Sequence, residues 1–198
     1  MNYLAHAYLS FDQQEILAGN MISDFVKGKT KFNYPTGIQN GIALHRAIDE
    51  FTDAHPATKK AAKFFRPAYR LYSGAFVDVV YDHFLALDTN TFKTPDDLQN
   101  FTAGVYDTLE EKFSLLPPNF QIVFPYMKQH NWLFNYRYRE GIEKSFGGLV
   151  YRAVYMNESD TAFDVFNKNY KELEECYSMF FPSLKKFAAH YLDELLLA

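Results

Sequence analysis

The stretch AYRLYSGAFVDVVYDHFLALD, residues 68–88, decides the fold. On a helix of about 3.6 residues per turn, Leu71, Gly74, Ala75, Asp78, Asp82 and Leu85 fall on one stripe. Phe76, Val80, Phe84 and Leu87 fall on roughly the opposite one. A helix that is apolar on both sides lies at the centre of a bundle. Asp78 and Asp82 therefore point inward, where a carboxylate is costly unless it is paired or binds a metal.

The segments on either side read as helices too. Residues 2–10 and 13–27 form two short ones, the second stopped by Gly28. Lys27, Lys29 and Lys31 cluster in a loop ending at Tyr34-Pro35, and Thr36 caps a helix running to about Ala54. His55-Pro56 opens the next helix and Pro67 breaks it. Thr94-Pro95 starts another, with Asp97 near its positive end, and Pro117-Pro118 ends it. Residues 119–130 are ambiguous because Pro125 interrupts them. Helices are expected over 132–156, 160–180 and, beyond Pro182, 183–197. No alternating strand pattern, internal repeat or low-complexity stretch stands out. The expectation is an all-α, single-domain helical bundle over residues 1–198.

Composition narrows the function classes. The 198 residues are 48% hydrophobic and 22% charged, which is ordinary for a globular protein. Aromatic content is high, with 20 Phe and 15 Tyr, and suits helix packing around a deep core. No apolar run is long enough for a membrane span, and the N-terminus lacks the pattern of a signal peptide. The single cysteine, Cys176, has no internal partner and fits a reducing, cytoplasmic setting. A net charge of -4 argues against nucleic acid as the main partner.

Polar pairs four residues apart interrupt the apolar pattern: Asn2/His6, Asn20/Asp24, His45/Asp49 and Asp78/Asp82, with His83 adjoining the last. That spacing places both members of a pair on one helix face, one turn apart. Any single pair also fits a local hydrogen bond, or an ion pair such as Arg46 with Asp49. Several within the first 83 residues, on separate helices, favour a convergent site. Carboxylates and imidazoles without thiolate suit manganese or magnesium, and zinc or iron less well. There is no H-E-x-x-H motif, ferritin-like Glu-x-x-His pair, Walker loop or G-x-S-x-G elbow. His55 reads as a helix cap, His130 and His190 as surface or packing residues, and Trp132 as core.

Four blocks, MNYLAHAYLS at the start, GNMISDFVKG at 19–28, GIALHRAIDEFTDAHP at 41–56 and VDVVYDHFLA at 77–86, resemble the acyl carrier protein phosphodiesterase family. Their order and spacing cover the first 86 residues, and echoes beyond them are weaker. The resemblance implies a bundle like that of the HD-type metal-dependent phosphohydrolases, with the motif order rearranged. It implies hydrolysis of holo-acyl carrier protein to apo carrier and 4′-phosphopantetheine, with Mn2+ as the divalent ion or Mg2+ in its place.

By the same resemblance Asp24 matches the family's essential aspartate, as catalyst or metal ligand. His45, Asp82 and His83 are expected as metal ligands, Asp49 as a catalytic group, a ligand or a partner of one, and Asp78 as a ligand or partner of one. His45 and Asp49 suit a ligand and the carboxylate that holds its ring. Asn20 is expected to support the site, and His6 to contact phosphate or give a proton to the leaving serine oxygen. Adjacent residues such as Asp82 and His83 diverge by about 100° on a helix, so both reach one ion only if it lies between their directions.

An acidic carrier needs local positive charge to dock, for which Lys27, Lys29, Lys59, Lys60, Lys63, Arg66 and Arg70 are the expected rim, although short charge runs are usually just solvated faces. Two other readings of the same residues are a metal phosphohydrolase acting on a nucleotide or other small phosphoester, and a non-catalytic helical protein that binds an acidic partner. The sequence leaves the oligomeric state open.

Overall fold

A computed structural model describes residues 1–197 and bears out the all-α class. Eleven α-helices, and no strand, occur among the described residues. In chain order they are α1 (Tyr3–Tyr8), α2 (Gln14–Ile22), α3 (Thr36–Ala54), α4 (Pro56–Tyr69), α5 (Ser73–Leu87), α6 (Pro95–Glu111), α7 (Pro118–Gln129), α8 (Trp132–Asn135), α9 (Arg139–Arg152), α10 (Asp160–Lys168) and α11 (Tyr170–Leu197).

Helix α5 is the central element that its two apolar faces require. It packs against α1, α4, α9 and α11, and every residue from Val79 to Ala86 is buried. The surrounding core is aromatic. Phe65 stacks on Phe76, Phe146 meets both edge-on, and Tyr81 stacks on Phe180 of α11. Such ring pairs contribute about 0.5–1.5 kcal/mol each beyond the area they bury.

Helices α2 and α3 meet with their backbones in contact, and two glycines make this possible. A Cβ on Gly19 would lie 2.1 Å from the Ile38 carbonyl oxygen, and one on Gly41 would lie 2.3 Å from the Ile16 carbonyl oxygen. No other residue fits either position without separating the helices. The crossing brings Asn20 of α2 against His45 of α3.

Several boundaries differ from the expectation. Helix α2 ends at Ile22 and passes into a 3-10 turn over Ser23–Phe25, and a second 3-10 segment covers Gly28–Asn33. Residues 132–156 hold two helices, α8 and α9, rather than one. Pro67, Pro125 and Pro182 lie inside α4, α7 and α11 without ending them. All three prolines are exposed, so the carbonyl that each leaves without its helical donor is on the water side. The break between α4 and α5 falls instead at Arg70, whose φ of 47° leaves the helical region.

Candidate metal centre

Three short stretches of sequence set the site: the second turn of α1, the end of α2 with the turn after it, and the middle of α3. The His6 and His45 rings stack at 3.8 Å between centroids, 11° from parallel. Both are buried. His6 Nδ1 lies 2.8 Å from Asn20 Oδ1, and His45 Nδ1 lies 2.7 Å from the Asn20 backbone oxygen. A carbonyl oxygen only accepts, so His45 Nδ1 carries a proton and donates it. The Asn20 side chain is equally constrained. Its Nδ2 donates to the His6 carbonyl at 2.7 Å and to Ser10 Oγ at 3.1 Å, so its Oδ1 must face His6 Nδ1, which donates as well.

With both Nδ1 atoms protonated, the neutral rings present bare Nε2 lone pairs, and these face carboxylates. His6 Nε2 lies 3.2 Å from Asp49 Oδ1. His45 Nε2 lies 3.2 Å from Asp49 Oδ2 and 3.3 Å from Asp24 Oδ1. Ligand atoms of His6, His45 and Asp49 fall within 4.8 Å of one another. Two lone pairs aimed at carboxylate oxygens repel unless positive charge lies between them. Both Nε2 atoms are buried without a hydrogen-bond donor of their own. This donor set fits a divalent cation, and the partners at Nδ1 are of the kind that orient metal-binding imidazoles.

The protein's own charges respond to the crowding. Burial, then the neighbouring His45, push His6 down to about 4. Burial also opposes charge on His45, but Asp24 and Asp49 outweigh it and lift that ring to about 9. Asp49 is desolvated, yet the two imidazoles hold it far below the usual carboxylate range. His45 likewise holds Asp24 down. Without an ion, the positive charge between these groups is a proton on His45 Nε2, which a bound divalent cation would displace. The α-amino nitrogen of Met1 lies behind them, 3.2 Å from Asp49 Oδ1 and 3.1 Å from Asp78 Oδ1.

Of the residues expected from sequence, His6, Asn20, Asp24, His45 and Asp49 converge. Asp24 is the member open to solvent, with its side chain 74% exposed. Asp78 reaches Asp49 only through the Met1 nitrogen. His6 occupies a ligand-like position equivalent to that of His45. Arg46 is not paired with Asp49, for its guanidinium donates to the Val26 carbonyl at 3.1 Å.

Asp82 and His83 depart from the expected ligand set. Asp82 Oδ2 accepts from the Leu4 backbone N–H at 2.7 Å and Oδ1 from that of Ala5 at 3.2 Å. Asn2 Oδ1 accepts from Tyr3 N–H, so the first three free N–H groups of α1 are satisfied. Asp82 is fully buried, and burial lifts its carboxyl to about 7 against the pull of those N–H groups. Its work is capping α1. His83 turns the other way. Its Nδ1 lies 2.7 Å from the Tyr136 carbonyl oxygen and its Nε2 lies 2.9 Å from the Tyr170 hydroxyl, so both nitrogens are occupied by packing partners. Burial holds it neutral, down to about 4.

One neighbour of the site was not legible beforehand. Tyr3 precedes His6 by one turn of α1. Its hydroxyl is raised first by burial, and the charges acting on it are those of Arg152, which lowers it, and Asp24, which raises it. Arg152 ends α9, 128 residues from Asp24, and no spacing rule connects them.

Known proteins resemble this chain over nearly its whole length. The family model described as acyl carrier protein phosphodiesterase matches residues 1–184. A protein of that name from Enterobacter sp. (strain 638) is 30% identical over 184 residues, covering 93% of this chain and 95% of the relative. One from Yersinia pestis is 30% identical over 190 residues, covering 96% and 98%. One from Escherichia coli O139:H28 is 28% identical over 190 residues, again covering 96% and 98%. No solved structure matches the chain. With the family model spanning nearly the whole sequence and relatives aligned end to end, the chain belongs to the acyl carrier protein phosphodiesterase family.

Proposed function

We propose that this protein is a metal-dependent phosphodiesterase that hydrolyses holo-acyl carrier protein to apo carrier and 4′-phosphopantetheine. The observation that carries the reading is the pair of buried Nε2 lone pairs converging on Asp49, with the exposed Asp24 at the solvent edge. His6, His45, Asp49 and Asp24 would hold Mn2+ or Mg2+. When bound, such an ion neutralises charge on a phosphoryl oxygen and makes hydroxide available near neutral pH.

The chain's own residues do the rest. Asn20 holds both imidazoles in the tautomer that leaves Nε2 free. Asp49 spans the two rings and fixes their separation. Asp24 stands where solvent meets the cluster, so beside holding the ion it would orient the attacking water. In the balance, water oxygen forms the new bond to phosphorus, the bond from phosphorus to the carrier serine oxygen breaks, and that oxygen takes a proton. The acidic carrier docks on a rim drawn from Lys27, Lys29, Lys59, Lys60, Lys63, Arg66 and Arg70, all of them exposed. Such a rim mainly raises the encounter rate and is screened over about 8–10 Å at ordinary salt.

The test is mass spectrometry of holo carrier incubated with the protein, with chelator, and with Mn2+ or Mg2+ restored. Loss of the 4′-phosphopantetheine mass, abolished by chelation and recovered on adding metal, is the expected result. An intact carrier under all conditions refutes the activity. Full turnover in enzyme shown to be metal-free by elemental analysis refutes the metal requirement.

A further inference from the structure

A cavity of about 860 Å3 opens between the start of α1 and the run from α7 to α9. It is far larger than a phosphate needs and lies in the range of sites that enclose an organic ligand. Tyr3 forms part of its wall, and His6 stands three residues further along the same helix, about 4.5 Å of axial rise away. The cavity and the cluster are therefore neighbours along α1.

The lining is specific in its chemistry. Trp132 and Tyr138 supply aromatic walls. Asn135 Nδ2 donates to the His130 carbonyl and Ser145 Oγ to the Gly141 carbonyl, at 2.8 Å each. Each keeps an oxygen free to accept, one on an amide and one on a hydroxyl. Lys144 and Arg152 add positive charge, and neither is paired with a carboxylate among the described residues. Arg152, at the end of α9, shares the cavity wall with Tyr3 of α1.

We infer that this cavity is the subsite for the pantetheine arm of the substrate. The inference rests on the phosphodiesterase reading and extends it. An anionic phosphodiester lies between the cluster and Arg152. From there a flexible, uncharged chain carrying two amide N–H groups runs past Tyr3 along the aromatic walls. The acceptors on Asn135 and Ser145 match those N–H groups. The C-terminal half of the chain thereby contributes substrate recognition to a centre built by the N-terminal half.

Gly148 provides the test. It lines the cavity, and a Cβ placed on it meets nothing within 4 Å. Gly148→Phe should fill the space while leaving the fold intact. Exposed Gly104 of α6, where a Cβ is also unopposed, supplies the control Gly104→Phe. Pantetheine, which has neither phosphate nor carrier, is titrated into each protein by calorimetry. Wild type and Gly104→Phe should bind it, and Gly148→Phe should bind it about tenfold or more weakly. On holo carrier, Gly148→Phe should lower kcat/KM by roughly a hundredfold through misplacement of the arm. Gly148→Leu replaces it if the larger variant melts early.

Pantetheine binding unaffected by Gly148→Phe, or wild-type kcat/KM in that variant, overturns the subsite and leaves the activity standing. If wild type releases no arm from holo carrier, the functional reading fails, and the pantetheine titration alone decides the cavity.

Discussion

Asn20→Ala tests the claim that one buried amide sets the electronic state of the centre. Asn20 is fully buried, and its side chain makes three hydrogen bonds. Two of them are backed up, because Ser10 Oγ also donates to the His6 carbonyl at 2.8 Å. The group left without a partner is His6 Nδ1. One unsatisfied buried donor costs about 1–3 kcal/mol. At about 2–4 °C per kcal/mol for a chain of this size, melting should fall by roughly 2–12 °C. The larger consequence is chemical. Without its acceptor the His6 proton moves to Nε2, where Asp49 lies 3.2 Å away. The lone pair then points at the space that Asn20 vacated, and metal binding must reverse the shift. Affinity for Mn2+ should drop about 10–100-fold, the usual cost of losing a group that orients a ligand. His45 is an internal control, because its acceptor is the residue-20 backbone oxygen, which alanine keeps. Asn20→Asp separates the two effects. It retains an acceptor for Nδ1 but places an oxygen against the His6 carbonyl, so it should lose stability and keep metal affinity. Thermal melts and calorimetric Mn2+ titrations read both quantities. A folded Asn20→Ala protein with wild-type Mn2+ affinity, or an Asn20→Asp protein that loses affinity equally, refutes the tautomer argument.

Gly41→Ala should lower stability by about 1–3 kcal/mol, the cost of overpacking, and weaken Mn2+ binding with it, because its Cβ meets a carbonyl that cannot yield; unchanged melting and affinity would show that the α2–α3 contact has slack. Asp24→Asn should change stability by no more than about 0.5 kcal/mol, since the side chain is exposed, while turnover on holo carrier collapses; near-normal turnover excludes a catalytic role. His83 in the fold titrates near 4, below its ordinary 6.5, so the unfolded chain binds the extra proton first as pH falls. The stability tied to its neutral form is present above 6.5 and is lost by pH 4, in total about 3 kcal/mol. Denaturant unfolding across that window should show this loss in wild type and not in His83→Gln, and an identical pH profile for the two would refute the assignment. His83→Gln should also keep wild-type Mn2+ affinity, and a large loss would restore His83 as a ligand.

Most of the cluster was legible because helical spacing is a strong constraint. His45 and Asp49 share one face of α3, and the observed 3.2 Å contact is what four residues of separation allow. Asn20 and Asp24 were also paired by spacing, but the reason they work differs. Helix α2 has already ended at Ile22, and the 3-10 turn after it carries Asp24 round to His45. The central position of α5 followed from apolar residues on both its faces. The prolines misled because the sequence shows the missing N–H and not which face it lies on. Pro67, Pro125 and Pro182 each face water, where the released carbonyl can be hydrated. The cavity beside Tyr3 was hidden for another reason: its walls come from helices that carry no spacing motif and meet α1 only in the folded chain.

Asp82 and His83 mark where spacing stops being informative. Two adjacent residues on a buried helix point about 100° apart, so one ion must lie between their directions for both to bind it. Here each has a separate neighbour. Asp82 faces the free N–H groups of α1, 78 residues away in sequence at Leu4. His83 faces the Tyr136 carbonyl and the Tyr170 hydroxyl. A buried carboxylate is costly in isolation, and the sequence shows that cost without showing what offsets it. A six-residue helix such as α1 has few internal hydrogen bonds and depends on caps from outside. Asp82 supplies two of them, and α1 carries His6 into the centre. Loss of Asp82 should therefore damage the metal site by releasing α1, without Asp82 ever touching the ion. The two roles separate in Asp82→Asn, whose amide still presents one acceptor oxygen to α1 but is a poor substitute for a metal-binding carboxylate. If Asp82 acts as a cap, that variant keeps most of its Mn2+ affinity; if it binds the ion, affinity is lost although the fold survives.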